Sequence, residues 1–90
     1  MALLVTYDLH TPGMDYSGLI HELKSPPTYA WWHHLGSTWI LRTGETPREL
    51  FHRIAPHLDT NDRIFVIEID DYPECQGWLP RRAWEWLKER

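Results

Sequence analysis

The chain has 90 residues, a formal net charge of −4, six Trp, four Tyr and one Cys. That length makes one domain burying roughly 60–65% of its unfolded surface, so its large rings, each able to hide about 150–250 Å², matter to its stability. The acidic balance excludes an all-round electrostatic grip on nucleic acid, the lone Cys75 excludes an internal disulfide and fits a reducing cytosol, and no signal peptide or membrane-length apolar run is present.

The first strand runs from about Ala2 to Asp8 and delivers a carboxylate at its exit. A buried strand holds such a side chain more rigidly than a loop does. The turn that follows, Leu9 to Gly13, carries His10 and is not a phosphate-cradling glycine loop. Asp15 is a candidate N-cap for a short helix ending near Lys24, with Leu19, Ile20 and Leu23 as its apolar stripe. Ser25-Pro26-Pro27 stops that helix, because proline lacks the amide hydrogen and restricts the residue before it.

Tyr29 to Leu35 reads as a second strand with bulk on both faces, Gly36 marks a turn, and Thr38 to Arg42 returns as a third strand. Thr46-Pro47-Arg48-Glu49 combines an N-cap threonine, a proline at the first helical position and a glutamate that closes a capping box. Leu50, Phe51, Ile54, Ala55 and Leu58 supply the buried face of that helix, and Pro56 limits its regularity. Asn61-Asp62 turns the chain into a fourth strand over Ile64 to Ile69, Asp70 to Gly77 is a loop, and Pro80 opens a final amphipathic helix.

The order β-α-β-β-α-β plus a terminal helix predicts an α+β, ferredoxin-like antiparallel sheet with two helices on one face, over residues 1–70. Residues 71–90 form a loop and C-terminal helix packed on the same domain. Right-handed crossovers put both internal helices on one side and leave the other face to a partner, a nucleic-acid strand or the added helix. The spatial strand order is four, one, three, two.

That order brings Asp8 and His10 to the same sheet edge as Ser37, Thr38, Asp62, and His33 or His34. A carboxylate there can hold Mg²⁺, which keeps several waters and needs few protein ligands, and phosphodiester cleavage uses such a metal. Histidine is the side chain suited to acid–base work near neutrality. The plainer alternatives are an Asp8 that caps a turn and an edge or interface histidine. His33 and His34 alternate across the strand and cannot face one metal together. His52 and His57 are five apart and read as surface residues, and Asp70-Asp71 as a solvated turn at the opposite end. Arg42, Arg81 and Arg82 are candidate phosphate contacts, although the basic C-terminal end also suits a solvated helix face. The tryptophans either stack on bases or, more simply, fill the core and a dimer contact.

The strand Leu4-Val5-Thr6-Tyr7-Asp8-Leu9, the Ser37-Thr38-Trp39 start of strand three and the overall layout resemble the CRISPR-associated second protein (Cas-two) family. More closely they resemble its stand-alone relatives, small bacterial and phage proteins labelled SinR-like. The likeness covers about residues 2–69, while Gly77-Trp78-Leu79-Pro80 and the following helix resemble the relatives alone. It implies a homodimer in which Asp8 nears its two-fold mate and binds Mg²⁺ for RNA or DNA cleavage, with Ser37 nearby. Related toxins of the virulence-associated protein D type cut messenger RNA on the same scaffold. Two features depart from the family: no fifth strand is evident after Ile69, and the first helix carries Lys24 where the family is arginine-rich. Many family members are structural DNA-binding dimers.

The resulting expectation is a cytoplasmic homodimer acting on nucleic acid as a Mg²⁺-dependent endonuclease. Asp8 is the metal ligand, Ser37 positions phosphate or metal-bound water, and His10 assists proton transfer. The alternative is a non-enzymatic adaptor or regulator in phage defence or a toxin–antitoxin system, with a protein partner from the same operon and Asp8 as a turn residue.

Overall fold

The computed structural model describes residues 2–10, 13–69 and 74–89. Four strands, β1 (Ala2–Asp8), β2 (Ala30–Leu35), β3 (Thr38–Arg42) and β4 (Arg63–Ile69), form one antiparallel sheet in the order β2-β3-β1-β4. Read from its other edge, this is the expected order four, one, three, two. Three helices, α1 (Ser17–Lys24), α2 (Pro47–Ile54) and α3 (Arg81–Lys88), complete an α+β fold compatible with the ferredoxin-like arrangement.

Alternation along the strands sorts the apolar residues into two cores. On one face Leu3, Val5, Tyr7, Trp39 and Leu41 meet Leu19 and Leu23 of α1 and Leu50 and Ile54 of α2. Trp39 is fully buried and donates its indole N–H to the Tyr7 hydroxyl at 2.9 Å, so the largest ring of this core leaves no polar atom unsatisfied. On the opposite face Ala2, Trp32 and Ile40 meet Ala83 and Leu87 of α3. The core reading of the tryptophans therefore holds for Trp32 and Trp39.

Local signals place the helices. Thr46 accepts from the Glu49 amide at 3.1 Å while Glu49 accepts from the Thr46 amide at 3.0 Å, the full capping box. Hydrogen bonds from Thr46, its backbone amide first and its hydroxyl second, hold the Glu49 carboxyl below its ordinary range. The cap contributes at neutral pH and is lost as pH falls through that lowered value. Helix α1 begins one residue later than an Asp15 cap predicts: Asp15 accepts from the Ser17 amide, and Tyr16 takes the cap position. Pro56 ends α2 in a 3₁₀ turn over Ala55–His57. His57 is half-buried rather than a free surface residue, because its ring fills the space against Gly18, where a Cβ would meet His57 Nδ1 at 2.6 Å.

One charged network ties the helix layer together. Arg53 of α2 bonds both carboxylate oxygens of Glu45, at 2.8 and 3.0 Å, and donates to the carbonyls of Glu22 and Ser25 and to the Thr28 hydroxyl. Burial opposes its charge, but Glu45 and then Glu22 outweigh that and raise its pKa. Truncating one partner strands the other in a site with little water. Arg53→Ala should cost about 3–5 kcal/mol in urea denaturation, and adding Glu45→Ala should restore part of that loss.

Candidate functional site

The sheet register places the predicted residues. Antiparallel pairing sets Asp8 opposite Arg63 and Thr6 opposite both Phe65 and Thr38. These side chains share the face that carries α3 but lie at its far end. The Thr6 and Thr38 hydroxyls are 3.1 Å apart, and the Ser37 carbonyl accepts the Tyr7 amide at 3.1 Å. Ser37 thus borders the β1 exit, with its side chain exposed. Thr6, Asp8, Arg63 and Phe65 line an open groove of about 190 Å³.

Asp62 organises the neighbouring loops. It accepts from the His10 amide at 2.9 Å, the Tyr16 hydroxyl at 2.6 Å and the Asp59 amide at 2.8 Å. Its carboxylate is thereby a scaffold for the β1 exit, and the exposed His10 ring extends from a pinned backbone. The paired histidines diverge as alternation requires. His33 stacks on Trp39 with centroids 3.7 Å apart, whereas His34 meets the edge of Trp32 at 5.2 Å, beside α3.

The three candidate phosphate contacts separate. Arg42 is committed to α3: it donates to the carbonyls of Trp86 at 3.4 Å and Glu89 at 3.1 Å, and its guanidinium lies 4.5 Å from the Trp86 ring centroid. It neutralises the carbonyl end of the helix and is not open to a phosphate. Arg81 is exposed and pairs with Glu85 one turn on, at 3.1 Å, while Arg82 lies beside His34 at an open surface. Neither adjoins the Asp8 groove. Asp70 and Asp71 lie outside the described residues.

Two groups that the sequence did not single out stand next to Asp8. Arg63 supplies a cation in register with it, and Phe65 is 57% exposed on the same face. Counting the strand four to one register from Asp62 would have revealed both.

Among the described residues no group of three or more His, Cys, Asp and Glu side chains gathers to hold a metal. What the groove offers Mg²⁺ is one exposed hard oxygen donor, Asp8, whose remaining coordination would be water and substrate phosphate, a donor set this ion accepts. No described helix is long and apolar enough to cross a membrane.

No family model, curated protein or solved structure matches the chain.

The commitment of Arg42 to α3 has a measurable consequence. Arg42→Ala should lower stability by about 1–3 kcal/mol, as the helix end loses charged hydrogen bonds and a stacked cation. Arg82→Ala should stay within about 0.5 kcal/mol in the same denaturation experiment.

Proposed function

We propose that the protein acts on single-stranded nucleic acid at the β1 exit, as a cytosolic homodimer with metal-dependent phosphodiesterase activity. The observation that carries this reading is the in-register pair of Asp8 and Arg63 beside the exposed ring of Phe65. A carboxylate, a guanidinium and an unburied aromatic face are the three groups that a phosphodiester chain can use at once. Arg63 binds the phosphate as a planar, always-charged fork, and Phe65 stacks on an adjacent base. An acidic chain needs only this local cation for such a contact.

Asp8 would hold Mg²⁺ through one oxygen, and the ion would supply charge neutralisation at the phosphate and a more acidic bound water. His10, whose backbone Asp62 fixes, would receive the proton of the attacking water. Ser37, exposed at the same edge, would bond a non-bridging phosphate oxygen.

A second reading has its own support. Arg63 opposite Asp8 can balance that carboxylate without a metal, and Ile67 and Phe65 extend an exposed apolar strip along the edge strand β4. On that reading the protein is a non-enzymatic dimeric adaptor or regulator in phage defence or a toxin–antitoxin system, with a protein partner from the same operon.

End-labelled RNA and DNA oligonucleotides with Mg²⁺ or Mn²⁺ separate the two. Cleavage should fall at least about 100-fold in Asp8→Asn, the scale of losing metal-centred charge stabilisation, with binding retained. Phe65→Ala should weaken binding by about 1–3 kcal/mol, one stacked base. If neither nucleic acid is cut with either metal, the adaptor reading stands.

A further inference from the structure

Beyond the Asp8 groove, the same sheet face ends in a second cavity. This cleft has a volume of about 220 Å³ and lies where the sheet, α3 and the loop before α3 meet. Leu4 and Ile69 line it from the sheet and Trp84 from the helix, while Cys75, Gln76 and Leu79 form its lip. Among the described residues no charged side chain lines it.

The size and chemistry of the cleft restrict what it can take. An apolar cavity of about 150 Å³ accepts a benzene ring, so this one has room for a larger flat ring. It is smaller than the roughly 300–1,000 Å³ of ordinary small-molecule pockets. Without a cation it offers nothing to a phosphate or a carboxylate. An aromatic side chain fits these limits, with Gln76 available as an acceptor for a ring N–H.

The chain itself carries the missing ring. Trp78 sits in the lip between Gln76 and Leu79, yet its side chain is 101% exposed. It is not among the side chains that line the cleft, although its neighbours Gln76 and Leu79 are. A donor ring and an acceptor cleft on the same short loop satisfy what a two-fold interface requires, since each copy gives what the other receives.

We propose that two copies exchange Trp78, each indole entering the other's cleft across a two-fold axis beside residues 75–79. This specifies the contact for the homodimer named above and rests on that part of the reading. Two exchanged indoles and the walls they cover account for roughly half of the ~1,200–2,000 Å² of a standard interface. Ile67, 44% exposed next to Leu4 across the β1–β4 pair, continues the apolar surface outward from the cleft.

The exchange also covers Cys75, an exposed free thiol at the lip, which provides a reporter independent of mass. Sedimentation velocity over a dilution series, paired with the rate at which Ellman's reagent labels Cys75, tests the proposal on wild type, Trp78→Phe and Trp78→Ala. Wild type should be dimeric, with labelling that accelerates on dilution. Trp78→Ala should keep the wild-type circular dichroism spectrum but raise the dimer Kd at least about 30-fold, as loss of a buried tryptophan anchor does. Its Cys75 should label quickly at every concentration, and Trp78→Phe should fall between. A wild-type dimer that persists in Trp78→Ala with unchanged labelling would overturn this interface while leaving the homodimer intact. A wild-type monomer throughout would overturn both, and the Asp8 cleavage assay would remain a separate test of activity.

Discussion

A four-stranded sheet has two faces to cover, and this chain has unequal means for covering them. Helices α1 and α2, brought to one side by the two crossovers, seal the first face around Leu3, Val5 and Trp39. Among the described elements the second face receives only α3, eight residues long and so about 12 Å from end to end. A seven-residue strand such as β1 spans about 23 Å. Helix α3 therefore covers the Ala2 end and leaves the Asp8 end open. The groove at Asp8, the exposed side chains of Phe65 and Ile67, and the cleft at the margin of α3 all follow from that shortfall in length.

The docking of α3 depends on contacts from residues far away in sequence. The Trp32 indole N–H donates to the Ala83 carbonyl at 3.1 Å near the start of the helix, and Arg42 holds the carbonyls at its end. Both anchors come from the β2–β3 hairpin, where Trp32 and Ile40 are directly paired and Arg42 follows two residues on along the same face. Stability and surface chemistry are thus coupled: Arg42, a guanidinium suited to a phosphate, is used instead to fix the helix that shapes the cleft. On the other side Arg53 performs a similar service, joining α2, the end of α1 and the turn at Thr43–Glu45 through buried charge.

Much of this was legible in the sequence because it depends on near neighbours. The Thr46–Glu49 box, the proline starts of α2 and α3, the strand alternation and the handedness of crossovers each carry their own local cause. The meeting of Asp8, His10, Ser37 and Asp62 at one edge followed from topology alone. What escaped depends on register and side-chain reach. Arg42 at a strand end reads as a free cation until the far helix is placed beside it. Phe65 in the run Ile64-Phe65-Val66-Ile67 looks like core, since nothing local tells which of its two faces lies beyond the reach of α3. Alternation puts His33 and His34 on opposite faces, but the stacking of His33 on Trp39 depends on the β2–β3 register, in which the residue after the Trp32–Ile40 pair faces Trp39.

The two ends of the uncovered face have different chemistry. Along β1, Ala2 marks the end under α3 and Asp8 the other, six residue steps or about 20 Å apart. Among the described residues the cleft lining is uncharged and includes Trp32 and Trp84, suited to a contact that excludes water. The groove end sets a carboxylate opposite a guanidinium in the open, where both stay hydrated until a ligand arrives, so exposure of this pair costs little. A second copy seated at the cleft would leave Asp8 and Arg63 uncovered in each protomer, because that pair lies four residue steps, about 13 Å, along β1 from Leu4 at the cleft, with Phe65 between them. Dimer formation and nucleic-acid contact then make separate demands on one sheet face, and a change at Trp78 can alter assembly without touching the chemistry at Asp8.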